Sequence, residues 1–353
     1  MSQLKNDRLL RAIYKKPLDR TPIWIMRQAG RYLPEYRALR ERAGSFMHLC
    51  KTPELACEAT LQPMKRYALD AAILFSDILT IPDALGLGLQ FIEGEGPVFS
   101  HAIRKESDVG RLPFLPLEHL NYVYETIRMV QQALSNEVPL IGFCGSPWTL
   151  AAYMIEGKAS PHFEMAQKMM LENPELLHNL LSILGKSVLS HLQAQIEAGV
   201  DIIMLFDTFG GLLSSPQYED FSLRYIKEII LSLKDHYNYK KIPLILFTKG
   251  GGRFLEAISQ SGCEVVGVDF EVSLKEVRER IGSSVAIQGN MNPTYLLKHP
   301  KEIRQSVFEI LEAFGKGSGH IFNLGHGITK DVDPSQVTVL VEAVHEFSAP
   351  YHE

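Results

Sequence analysis

Eight short apolar runs that do not alternate with polar residues are the strongest constraint on how this chain folds. They are Thr21–Met26, Ala71–Asp77, Leu140–Gly145, Ile202–Asp207, Pro243–Thr248, Glu264–Asp269, Ser284–Gly289 and His320–Gly325. Strands covered on one face alternate, whereas parallel strands covered on both faces read as near-continuous Val, Ile, Leu and Phe. Amphipathic stretches separate the runs: Glu54–Tyr67, Pro174–Ala198, Tyr218–Lys234, Gly252–Gly262, Ser273–Ile281, Glu302–Phe314 and Pro334–Phe347. Pro53, Pro174 and Pro334 stand near their starts, where a missing N–H does no harm. Strand and helix in eight repeated units predict a (β/α)8 TIM barrel of the α/β class. A doubly wound sheet is the alternative, but eight similar units without a GxGxxG fingerprint favour closure. The chain has 353 residues, 46% of them hydrophobic, and shows no linker or low-complexity tract. It therefore reads as one domain, 1–353, since α/β barrels routinely reach this length. Leu89–Ile103, with turn residues Gly94-Glu95-Gly96-Pro97, reads as a small hairpin inserted after strand two.

A barrel carries its active site at the C-terminal ends of its strands. The residues expected there are Arg27, Asp77, Gly145-Ser146-Pro147, Asp207-Thr208, Lys249, Asp269, Asn290 and His326. Between Arg20 and Arg42 lie six arginines and two acids, a local net charge of +4 in a chain whose total is −5. The whole molecule thus has no field to recruit nucleic acid or a membrane surface, whereas this segment suits an anion. Arg37, Arg40 and Arg42 fit a solvated helical face equally well. Arg27 follows Trp24-Ile25-Met26 at a strand end, and Gly30 allows close backbone approach. Guanidinium forks take carboxylates in pairs of hydrogen bonds, so Arg27 and Arg31 suit a ligand with several of them.

Asp77 sits among Phe75, Ile78 and Leu79. Two roles fit it equally: a charge acting on a ligand, or a structural partner of an arginine. Asp207 and Thr208 could as well satisfy groups at the barrel rim. Tyr153 fits ordinary packing, while His326, bracketed by Gly325 and Gly327, is better placed to reach a ligand than to pack.

Taken together these segments resemble the uroporphyrinogen decarboxylase family. The resemblance rests on Arg27-Gln28-Ala29-Gly30-Arg31-Tyr32-Leu33-Pro34-Glu35, Phe75-Ser76-Asp77-Ile78, Gly145-Ser146-Pro147-Trp148-Thr149-Leu150 with Tyr153-Met154, Gln288-Gly289-Asn290, and Asn323-Leu324-Gly325-His326-Gly327. It runs from Asp7 to about His345. Lys158 departs from the family's tendency to glycine, Phe209-Gly210-Gly211 varies a loop, and Thr208 replaces a more usual serine while keeping the hydroxyl.

The resemblance implies a reduced tetrapyrrole carrying eight carboxylates, whose four acetate arms lose carbon dioxide to give coproporphyrinogen. It implies no cofactor and no metal, because a protonated pyrrole serves as the electron sink. It further implies that Asp77 accepts from pyrrole N–H groups and stabilises the cationic intermediate. Arg27 and Arg31 bind carboxylates, and Arg27 helps deliver protons. Backbone groups of Gln28, Ala29 and Gly30 line the same wall, and Tyr153, Thr208 and His326 complete the pocket. The general acid is left open, with His326, titrating near neutrality, better suited than an arginine. Family members tend to be homodimers, and that is the expectation here.

Two rivals share the barrel. Zinc-dependent methyltransferases resemble this superfamily, and His48-Leu49-Cys50 with Cys57 offers a partial ligand set, though not at strand ends. Lys249 would suit a Schiff-base aldolase but lacks an obvious partner. A non-catalytic tetrapyrrole carrier is the binding-module alternative. Cys50, Cys57, Cys144 and Cys263 form no CxxC pair and read as reduced. Met1 to Ile13 lacks a signal-peptide run, and no stretch approaches about 20 apolar residues, so the expected compartment is the cytoplasm.

Overall fold

The computed structural model describes residues 4–92, 94–236, 239 and 241–352. Its strands are β1 (Ala72–Ile73), β2 (Leu89–Ile92), β3 (Gly96–Phe99), β4 (Leu140–Gly145), β5 (Ile202–Asp207), β6 (Leu244–Thr248), β7 (Val265–Gly267), β8 (Ala286–Gln288) and β9 (His320–Ile321). All but β2 and β3 form one parallel sheet in the order β1-β4-β5-β6-β7-β8-β9. Each neighbour in space is the next barrel strand in sequence, the signature of repeated βα units. The expected hairpin is present: β2 and β3 pair antiparallel, with Leu89 opposite Phe99. It docks on the loop after helix Pro147–Glu156, where Val98 bridges Lys158 and the Phe99 N–H donates to the Gly157 carbonyl at 2.8 Å. Lys158 therefore contributes its backbone to this contact.

The helices form where local chemistry permits. In Pro174–Ala198 the Asn173 side chain accepts from the Leu176 N–H at 3.2 Å, Pro174 occupies the first turn, and Gly199 (φ 115°) ends the helix. Leu177, Leu180, Leu181, Leu184, Val188 and Leu192 form its buried stripe. Burying each such side chain contributes about 1.5–3 kcal/mol.

One predicted strand differs. The run Thr21–Met26 makes a single bridge, Ile23 with Phe322. Its backbone nevertheless reaches both edges of the sheet. The Phe322 N–H donates to the Pro22 carbonyl at 2.8 Å and the Trp24 N–H to the Phe322 carbonyl at 3.4 Å, while the Asp70 N–H donates to the Ile23 carbonyl at 2.8 Å. Residues 22–24 thus close the ring between β9 and β1. The ladder is short because side chains take its place. Asp70 Oδ2 accepts from the Ile23 N–H (2.9 Å), Gln28 Oε1 from the Ile25 N–H (3.1 Å), and Asn323 Oδ1 from the Met26 N–H (2.9 Å). The Trp24 indole N–H donates to Gln288 Oε1 at 2.8 Å.

Two packed layers explain the apolar runs. Trp24, Ile73, Ile141, Met204, Ile245 and Phe247 fill the inside of the ring, while Leu140, Ile203, Leu205, Leu244 and Leu246 pack outward against helices. Both faces of each strand are covered, so neither side needs polar residues.

Candidate active site

The segment Arg27–Arg31 leaves the ring at the end of this first run. Arg27 adopts φ +62°, a left-handed conformation that few non-glycine residues hold. It crowds Gly327, where a Cβ would lie 2.4 Å from Arg27 Cδ, so glycine at 327 makes room for the arginine. Gln28 is fully buried, its amide donates to the Ala71 carbonyl at 3.2 Å, its N–H donates to the Ile25 carbonyl, and its carbonyl accepts from the Tyr32 hydroxyl. Gln28 therefore helps build the loop, its side chain and N–H engaged there and its carbonyl accepting one bond. Ala29 and Gly30 are half-buried, and their N–H groups, with that of Arg31, have no hydrogen-bond partner among the described residues. Free amides close in sequence to two arginines without ion pairs are groups that suit an anion.

The six arginines divide by partner. Arg20 forms a two-armed bond with the buried Asp70 carboxylate, 2.8 Å on each arm. Arg42 pairs with Glu58, and the Arg37 guanidinium donates to the carbonyls of Arg31 and Tyr32. Arg27 and Arg31 form no ion pair among the described residues. The same is true of Arg40, which with Arg31, Arg37 and Lys330 borders an open cleft of about 460 Å³.

Asp77 follows β1 and keeps some contact with solvent, although protein surrounds its carboxylate. Desolvation raises its pKa, opposed by the Leu79 N–H, which donates to Oδ1 at 2.8 Å, and by the positive charge of Arg27. No arginine lies within ion-pair distance of it among the described residues, although the charge of Arg27 reaches it. Tyr153, in helix Pro147–Glu156, is half-buried against the rings of Phe163 and Phe209, 5.3 and 5.2 Å between centroids. Burial pushes its pKa up to about 12, with the Asp77 charge adding and Arg27 opposing. The charges of Asp77 and Arg27 thus both reach Tyr153.

His326 is half-buried, and its pKa falls to about 4 through burial and then the charges of Arg27 and Lys249. That shift favours the neutral imidazole near pH 7. Thr208 lies one residue beyond β5 and is half-buried.

Asp207, its neighbour, turns the other way. Fully buried, it accepts from the Ser146 hydroxyl (2.6 Å) and the Ser222 hydroxyl (2.9 Å), with Thr149 and Thr248 each at 3.4 Å. Ser222 reaches it from the π-helical turn Glu219–Leu223. This network supports the rim, the structural role open to Asp207 from the sequence, with side-chain hydroxyls as its partners. Asp269 is also committed, its oxygens accepting from the Gly250 and Glu271 N–H groups. Asn290 donates to the carbonyls of Asp269 and Val272.

His48 and Cys50 lie in the helix Phe46–Lys51, with His48 exposed and Cys50 buried, its thiol pKa raised by desolvation. They stand in different environments, one exposed and one buried, so they do not present their side chains to a common point.

The model of the uroporphyrinogen decarboxylase family matches residues 4–347. The chain belongs to the uroporphyrinogen decarboxylase family. Curated relatives of that name include one from Tolumonas auensis, 55% identical over 354 residues, and one from Escherichia coli O7:K1, 54% identical over 353, both covering all of each chain. Among solved structures, a methyltransferase from Methanosarcina mazei superposes with a TM-score of 0.81 at 22% identity, covering 98% of this chain and 99% of its own. A putative vitamin-B12-independent methionine synthase from Listeria monocytogenes gives 0.55 at 13% identity, covering 94% and 97%. At those identities the likeness is one of fold. For a uroporphyrinogen decarboxylase family member, the clustering of Arg27, Asp77, Tyr153 and His326 falls where a barrel enzyme carries its chemistry.

Proposed function

We infer that the chain is a carboxy-lyase that removes carbon dioxide from the four acetate arms of uroporphyrinogen, giving coproporphyrinogen. The observation that carries this reading is an unpaired, desolvated Asp77 beside an unpaired Arg27. One group answers pyrrole N–H donors and positive charge, the other carboxylates. Cleavage of the carbon–carboxylate bond leaves an electron pair, which a ring-protonated pyrrole accepts. A proton then takes the place of the carbon dioxide, turning acetate to methyl. Asp77 stabilises the positive ring, acting strongly because its surroundings are desolvated. Arg27 and Arg31, with the free amides of Ala29 and Gly30, hold carboxylates. Tyr153, Thr208 and neutral His326 supply further hydrogen bonds. The reaction draws on the substrate's own ring as electron sink, so these residues need no cofactor.

The same reading takes 1–353 as one catalytic domain, working as a homodimer in the cytoplasm. Leu212 and Phe270, both exposed on loops after β5 and β7, supply apolar surface near the mouth for a second subunit. Anaerobic incubation with uroporphyrinogen in chelator-treated buffer, followed by counting carboxylates on the oxidised products, tests the function. Stepwise loss of four carboxylates is expected. Unchanged octacarboxylate would leave a carrier, and activity restored only by added zinc would reinstate a metal enzyme.

A further inference from the structure

Lys249 has no part in the reading above, although it stands at a strand end. Its direction follows from the strands. Met204 and Phe206 in β5, and Ile245 and Phe247 in β6, lie in or against the inner layer, while Ile203, Leu205, Leu244 and Leu246 lie in the outer one. Side chains alternate along a strand, so the next inward positions are Thr208 and Lys249. The register pairs Asp207 with Thr248 and Phe247 with Gly267. Continued past the strand ends, one step on from Thr248 and two from Phe247, that register sets Lys249 between Thr208 and Asp269 on the rim.

The backbone there is fixed. The Lys249 carbonyl accepts from the Gly211 N–H at 3.1 Å, and a Cβ on Gly211 would sit 2.3 Å from that oxygen. The side chain is exposed and makes no ion pair among the described residues. Asp269, the acid beside it, has both oxygens engaged by backbone N–H groups. Position in the ring is equally telling. Counting residues 22–24 as the first of eight staves, β6 is the fifth, so Lys249 stands diametrically across the mouth from Arg27. Both cations nonetheless act on His326. A macrocycle with acids around its whole rim meets a cation on each wall only if the far wall supplies one.

We propose that Lys249 binds a carboxylate of the macrocycle on the wall opposite Arg27, acting as a charge and hydrogen-bond donor and not as a Schiff-base amine. This rests on the tetrapyrrole polycarboxylate as substrate. Ammonium and carboxylate pair whether or not chemistry is under way, so the contribution belongs to binding. Steady-state kinetics of Lys249→Gln and Lys249→Arg with uroporphyrinogen, alongside the unaltered protein, test it. Lys249→Gln should raise KM about tenfold, the loss of one charge-assisted hydrogen bond, with kcat within about twofold and the thermal midpoint unchanged. Its KM should also depend less on salt. Lys249→Arg should keep KM near that of the unaltered protein. A KM for Lys249→Gln within twofold overturns the proposal, as does loss of kcat in both variants, which would mark the amine as reactive. If the unaltered protein does not consume uroporphyrinogen, the functional reading itself falls and takes this inference with it.

Discussion

Asp77 and Asp207 are both carboxylates at the C-terminal end of a barrel strand, and desolvation raises the pKa of both. They differ in what surrounds them. Four hydroxyls face Asp207, and a Cβ on Gly210 would lie 2.1 Å from its Oδ2, so nothing else can reach it. Asp77 has one backbone N–H and an unpaired guanidinium nearby. A perturbed acid at a strand end is therefore not in itself a site. Unfilled hydrogen-bonding capacity is what separates a group held ready for a ligand from one already satisfied.

The sharpest way to break this contrast is to neutralise each acid in turn. Asp77→Asn should fold normally and lose turnover on the order of 10²–10³-fold, with substrate affinity changing far less. Asp207→Ala should do the reverse, costing about 3 kcal/mol of stability by stranding buried hydroxyls, while folded molecules keep near-normal turnover. Thermal midpoint and kcat measured together decide the matter. Near-normal turnover in a destabilised Asp77→Asn would make the two acids alike.

The arginines repeat the contrast on a smaller scale. Arg27→Ala and Arg31→Ala should each weaken binding or turnover by about 1.5–3 kcal/mol. Arg42→Ala, which loses only an exposed pair with Glu58, should cost under about 1 kcal/mol in either property. Equal behaviour in kinetic assays of all three would remove the carboxylate clamp.

The histidines sharpen it through pH. Burial lowers His191 to about 3, and His320 and His326 to about 4. Between those values and the ordinary 6.5, the unfolded chain binds protons that the folded one refuses. Stability should therefore fall as pH drops through that window, by up to about 1.4 kcal/mol per pH unit for each histidine. The raised carboxyls of Asp77 and Asp207 oppose this trend. His191, bonded to the Tyr124 hydroxyl away from the mouth, should flatten the pH dependence of the thermal midpoint when changed to Gln, without altering kcat/KM. His326→Gln should alter kcat/KM, and the unaltered protein should show no inflection from His326 between pH 6 and 8. An inflection near 6.5 that vanishes in His326→Gln would restore it as a proton donor.

Much of the fold was legible because burial leaves its mark on composition. β4 and β5 match their apolar runs residue for residue, and Pro174–Ala198 matches its amphipathic stretch between proline and glycine. The first strand misled because Thr21–Met26 is as buried as the others, yet it has few backbone partners and several of its bonds go to side chains from distant positions, Asp70, Gln288 and Asn323. The site was legible as a set of strand-end residues. Which of them faced the mouth was not, because both faces of β5 are apolar and parity cannot be read from Ile202-Ile203-Met204-Leu205-Phe206. Hence Asp207 and Thr208 looked equivalent. The inward burial of Gln28 was hidden for the same reason: one motif carries the residues that build the loop and those that use it.

The ring's closure has a mechanical consequence. Where β4 and β5 share a ladder of five register pairs, residues 22–24 close the ring with three backbone bonds, two to Phe322 and one to Asp70, and a few polar side chains. Thermal opening should begin there, and exchange of the Ile23, Trp24 and Phe322 amides with solvent would report it. The arginine loop hangs from that same seam. If Arg27 and Lys249 hold the macrocycle from opposite sides as proposed, it would span the ring like a strut and brace this seam whenever it is bound.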